Sequence, residues 1–327
     1  MQTRSTVNPN ATNLPSAPAP TPTLTESALN GGRRFVDMLR ASPKITVGLS
    51  IVAFFILVAL AAPLLTQYGP EQKVVASSLA PSAAHILGTT GLGQDLFAQL
   101  VYGARVSLLI GFLAAIGSTA LQILFGVAAG YFGGLIDEVL TLITNVFLVL
   151  PGLPLAIVIA ALANGSSANK NEYVIALVLL VTSWSYGARV LRAQTLSLRE
   201  REFVAASRAT GESAWRIVFF EIVPNEVALV ASTFVGTFVY AIGAEVALEF
   251  LGLGDAGQAS WGTILFWAQN NAALITGQWW QFVPAGLCVA VLCAALTFVN
   301  FGIDEIANPN LRNERKPKKL KEKRVAA

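Results

Sequence analysis

Charge is what this chain most lacks. Only 13% of its 327 residues are Asp, Glu, Lys or Arg, against roughly 25% in an ordinary soluble domain. Together with 54% hydrophobic residues and a mean hydropathy of +0.60, this excludes a water-soluble globule. The chain has one His and two Cys. A metal centre draws several N, S or O ligands, so no metal site is expected, and His85 alone does not make one. Cys288 and Cys293 stand five apart in one apolar run, badly placed to bond to each other, and read as small packing residues. There is no GxxxxGK[ST] phosphate loop, no HExxH and no GxSxG. Gly252, Gly254 and Gly257 spell GxGxxG, but no strand precedes them and no βαβ unit follows, which rejects a dinucleotide site. Neither catalytic residues nor a bound cofactor are expected, and the chain is not read as an enzyme.

Long apolar runs are what it has instead. A span needs ~17–25 apolar residues. The first lies near 45–65, which is too long for a signal-peptide core despite the preceding Arg33-Arg34. Five more are expected near Val106–Gly130, Leu135–Ala163, Tyr173–Val190, Val223–Leu251 and Phe282–Gly302. Pro151 and Pro154 predict a kink in the third, and Gly126 and Gly130 predict close helix packing in the second. The fold class is an all-α polytopic membrane protein with six transmembrane helices. Residues 1–34 form a Pro/Thr/Ser-rich tail expected to be disordered, 35–311 the transmembrane domain with an external segment at 66–102, and 312–327 a basic tail suited to an anionic inner leaflet rather than to nucleic acid. Nineteen of the 22 Lys and Arg fall before the first span, between Arg189 and Arg216, or after Leu311. The positive-inside rule then puts both termini and the 198–225 connector in the cytoplasm.

That connector is the longest polar run between spans. Glu202 to Thr210 predict a helix ended at Gly211; a second helix follows from about Ser213 to Ile222, with Trp215 on its apolar face, and Pro224 ends it. The run Ala205-Ala206-Ser207, then Gly211, then Ile222-Val223-Pro224-Asn225 resembles the cytoplasmic loop of ABC importer permeases of the dipeptide/oligopeptide/nickel branch, in particular the second permease of the pair. Members usually carry Glu-Ala-Ala where this chain has Ala205-Ala206-Ser207, and Glu202 stands one turn earlier. The resemblance extends over roughly 35–312, with Gly88, Thr89, Gly93, Asp95, Tyr102, Gly103, Arg105 and Ser107 in order, then Glu245 with Phe250-Leu251-Gly252-Leu253-Gly254, Ser260-Trp261-Gly262, and Asn308-Pro309-Asn310. It implies a type I ABC importer permease fold. It also implies a second homologous permease, two cytoplasmic ATPases seated on Glu202, Ala205, Ala206, Ser207, Gly211, Trp215, Val223 and Pro224, and an extracytoplasmic binding protein touching Asp95 and Trp261. ATP, for which this chain has no phosphate loop, would be hydrolysed by those ATPases.

Glu245 and Glu249 lie one turn apart in the fifth span, and acids inside a span are costly and default to function. At 1.5 Å per residue Glu245 is about 15 Å from a midpoint near Val235, at the edge of a ~30 Å core. They are therefore expected in a hydrated outer vestibule on the translocation route. The alternative is a proton-coupled secondary transporter that uses both acids. Di- and oligopeptides are the expected solute, with oligosaccharides or a nickel chelate as alternatives within the branch; Trp261, Trp267, Trp279 and Trp280 suit an interfacial belt or, less readily, sugar rings.

Overall fold

A computed structural model describes residues 42–74, 76–164 and 172–307. The expected tails at 1–34 and 312–327 lie outside them. Among the described residues the regular secondary structure is all helix, apart from two isolated bridges, Lys73 with Gln94 and Thr89 with Asp95.

Four helices are long and apolar enough to span a bilayer: α1 (Pro43–Leu60), α2 (Leu96–Phe132), α9 (Val227–Phe250) and α11 (Val283–Ala307). Two further spans are bent pairs. α3 (Gly134–Val149) and α4 (Gly152–Asn164) meet at 89°, and α5 (Glu172–Ser183) and α6 (Ser185–Arg199) at 40°. Counted as broken spans, these bring the total to six. Residues Glu202–Ala209 form α7. α8 starts at Ala214–Ile217, widens to a π turn at Val218–Ile222 and ends at Val223–Asn225. Trp261–Asn270 form α10, and a 3-10 turn at Trp279–Gln281 precedes α11.

The sequence reading underestimates two features. The expected kink in the third span is a break, because Pro151 has no N–H for the carbonyl of Phe147 and its ring clashes there. The helical ladder stops at Leu150 N–H on Val146 C=O (3.3 Å) and restarts at Leu155 N–H on Pro151 C=O (3.0 Å). The second span begins ten residues before Val106, since Asp95 caps Leu96 onward by accepting from Ala98 N–H at 2.9 Å. The end of the segment expected to be external is thus already helix.

Hydrophobic contrast does not drive helices together in lipid, so close approach and polar contacts must do so. Gly126 on α2 sits against the carbonyl of Ala188 on α6, and a Cβ on Gly130 would lie 2.6 Å from Cβ of Thr195. Gly48 on α1 admits Val299 of α11, and Lys44 ties the same pair by bonding Glu305 at 2.7 Å. The main core gathers Phe55, Leu108, Phe238, Ile242, Trp261, Leu292 and Leu296 from α1, α2, α9, α10 and α11. Asp137 binds Arg192 through two bonds of 2.5 and 2.7 Å, fixing α3 to α6.

Candidate coupling and translocation site

The 198–225 connector folds as a bent bracket. Gly211 supplies the bend at φ +81°, a left-handed conformation that costs a side-chain-bearing residue ~1–2 kcal/mol. Ser213 then caps α8 by accepting from Arg216 N–H at 3.4 Å. Pro224 brings no N–H to the carbonyl of Phe220, and the preceding turn widens to π. One side of the bracket is buried: Val204, Ile217, Val218 and Ile222 pack with Val127 and Tyr131 of α2 and with Leu191 and Leu198 of α6. The other side is exposed and carries Glu202, Ala205, Ala206, Gly211, Trp215 and Pro224; Ser207 and Val223 are half-buried at its margin. Trp215 stacks on Phe219, with centroids 5.9 Å apart at 15°. Six of the eight sequence-predicted coupling residues are therefore exposed on the bracket, while Val223 packs against its buried side.

At the junction of bracket and span stands Glu226, one residue before α9 begins. Its side chain is 1% exposed; Oε1 accepts from Thr195 Oγ1 at 2.7 Å, and Oε2 has no partner among the described residues. Burial pushes its carboxyl from the ordinary 4.5 to about 7.

Both helix breaks open on one cavity of about 520 Å³. Phe147, Leu148, Leu150 and Gly152 contribute from the α3/α4 break, Thr182, Ser183 and Ser185 from the α5/α6 break, and Ser232, Gly236 and Tyr240 from α9, with Asn300 of α11 at one wall.

The two acids are elsewhere. Glu245 is fully buried and Glu249 is 3% exposed, and neither lines the cavity. Glu245 accepts from Ser107 Oγ of α2 at 3.0 Å, and Glu249 accepts from Ser260 Oγ, the residue that caps α10. Gly254 and Gly262 close over Glu249 so tightly that a Cβ on either would meet its side chain. This corrects the expected outer vestibule: the pair lies inside the subunit and fastens α10 to α9 and α2. Sequence depth put the acids near the outer edge, but only packing shows which way that helix face turns. Asp95 and Trp261 are likewise corrected as binding-protein contacts. Asp95 is 4% exposed, caps α2 and holds His85 Nδ1 at 2.8 Å; Trp261 is 0% exposed, packs edge-on to Phe55 and donates Nε1–H to Leu100 C=O at 3.1 Å.

The comparisons with known proteins bear directly on this bracket and its spans. Residues 122–313 match the family described as binding-protein-dependent transport system inner membrane component, a stretch that contains the bracket, both broken spans and the cavity. The chain belongs to this family. It is 32% identical to the dipeptide transport system permease protein DppC of Alkalihalophilus pseudofirmus, covering 91% of this chain and 96% of that one. Identity to the oligopeptide transport system permease protein OppC of Bacillus subtilis is also 32%, covering 84% and 88%. Among solved structures it is similar to an inward-facing MetNI methionine ABC transporter chain: 18% identity, TM-score 0.49, 64% of this chain and 94% of that one covered. The protein is thus a multi-pass inner-membrane permease subunit of an ABC importer, not an enzyme. Within this permease, sequence reasoning missed Glu226, Thr195, Tyr240 and Asn300. Glu226 alone carried a signal, as an acid directly after Pro224-Asn225; the others acquire meaning only from what the breaks bring beside them.

Proposed function

We propose that this permease forms half of a peptide-import pore with a second, similar permease. Two cytoplasmic ATPases bind the exposed ledge of α7 and α8, an extracytoplasmic binding protein delivers di- and oligopeptides, and both termini are cytoplasmic. The observation that carries this reading is the bracket. Its exposed face is available to a partner, whereas its buried face is continuous with α2 and α6 and leads through Glu226 into α9. ATPase closure would therefore push on a ledge that cannot yield locally, and the push would pass to the spans that enclose the cavity. Support for the peptide solute comes from the named dipeptide and oligopeptide relatives. The distribution of Lys and Arg supports the orientation. A secondary transporter based on Glu245 and Glu249 gains nothing from a pair that sits outside the cavity.

The test is purification of the tagged chain from its host in mild detergent, with mass spectrometry of co-isolated proteins, followed by reconstitution and uptake of labelled tripeptides. Recovery of a second permease with ATPases, and uptake only with ATP, is expected. A chain that stays alone and transports without ATP would overturn the reading.

A further inference from the structure

We propose that the cavity where the two broken spans converge is the station that holds the solute on this subunit, and that it grips the main chain of an extended peptide and not its side chains. This rests on the peptide-import reading above.

Irregular backbone at membrane depth survives only when buried in protein or lining a watered cavity, because an unpaired amide or carbonyl in lipid is costly. Two such breaks in one subunit are expensive, and both face the same space. At the first, the carbonyls of Phe147 and Leu148 and the amides of Gly152 and Leu153 fall outside the helical ladder, between Leu150 on Val146 and Leu155 on Pro151. Acceptors and donors thus stand side by side, as they do along a peptide's own main chain. Broken helices that offer backbone groups to a solute near the midplane are a recurrent transporter device.

The side chains point to the same ligand. Among the described residues no Asp, Glu, Lys, Arg or His lines the cavity. Its polar groups are hydroxyls and one amide, with Ser185, Tyr186, Tyr240 and Asn300 among them. Several other hydroxyls are already engaged: Thr182 bonds Val178 C=O at 2.9 Å, Thr237 bonds Thr233 C=O at 2.8 Å, and Ser232 bonds Asn300 Oδ1 at 2.7 Å and Asp304 Oδ1 at 3.0 Å. An uncharged wall with donors and acceptors of both kinds favours amides without preferring acidic or basic side chains. Its size falls within the ~300–1,000 Å³ typical of small-ligand sites.

Two variants test this in the reconstituted transporter with its binding protein. A Cβ on Gly236 would meet nothing nearer than Asn300 Nδ2 at 3.9 Å, so Gly236→Leu fills the cavity without displacing the backbone. It is expected to cut tripeptide uptake at least tenfold while ATP hydrolysis continues. Asn300→Asp keeps the acceptor for Ser232 and adds charge to the wall. It is expected to shift the ratio of Ala-Lys-Ala to Ala-Glu-Ala uptake at least fivefold from its wild-type value, a gain that a misfolded variant cannot produce. If wild type imports peptides but Gly236→Leu imports them equally well, or Asn300→Asp leaves the ratio unchanged, the cavity is not the station. Crosslinking of Gly236→Cys to the second permease instead of to a thiol-reactive peptide would overturn it too, making the cavity a subunit seam. A wild type that imports no peptide fails the underlying reading instead, so the two failures are distinct.

Discussion

Replacing Glu226 by Gln tests whether a buried acid at the junction of bracket and span sets the stability of this permease. The carboxyl is 1% exposed, has one hydrogen bond from Thr195, and is pushed by burial from 4.5 to about 7. Below about pH 4.5 it is protonated whether the protein is folded or unfolded, and burial carries no ionic cost. Between 4.5 and 7 the unfolded chain releases the proton while the folded chain keeps it, so stability falls as pH rises. Above 7 both forms are ionised and the loss is complete. At ~1.4 kcal/mol per pH unit that interval corresponds to about 3 kcal/mol. Gln keeps the acceptor for Thr195 but has no charge to bury. The variant should therefore match wild type at pH 4.5 and unfold several degrees higher at pH 8, as read by tryptophan fluorescence of detergent-purified protein. An equal difference at both pH values, or a variant less stable at pH 8, would falsify the assignment of the cost to ionisation. Glu226→Ala, which removes the acceptor as well and leaves the Thr195 hydroxyl unpaired, should gain less than Gln.

Gly211→Ala meets no atom within 4 Å but must adopt φ +81°, so a loss of ~1–2 kcal/mol confined to the bend is expected; ATP hydrolysis should persist while uptake per ATP falls, and full coupling would refute the lever. Gly130→Val would place Cβ 2.6 Å from Cβ of Thr195 and force α2 from α6, costing about 1–3 kcal/mol; an unchanged melting temperature and yield would show that the contact gives way freely. Trp261→Ala removes a fully buried ring from the core shared by α1, α9 and α10, at a cost of about 3–5 kcal/mol. Because the ring is not at the surface, binding-protein affinity of whatever variant protein folds should be unaltered, which a surface-plasmon titration would check.

The local features of the bracket are legible in the sequence because each depends on near neighbours. Gly211 needs only its own freedom from a Cβ to bend the chain, and Pro224 acts on a carbonyl four residues back. Hydropathy likewise identifies the spans, since a bilayer demands length and apolarity from each segment separately. Pro151 announces a disturbance, but whether the helix kinks or breaks by 89° depends on what lies beside it.

What the sequence by itself determined is therefore an all-helical membrane chain, the place of its 198–225 bracket, and the family to which it belongs. Only the tertiary structure decided which way the residues on those helices face. Glu245 and Glu249 read as pore acids because charge in a span is costly; they are instead buried against Ser107 and Ser260, whose positions 138 and 11 residues away no local pattern reveals. The cavity is the converse case. Two breaks more than thirty residues apart become one site because α9 packs beside both, an arrangement set by helix contacts across the subunit and not by any stretch of sequence.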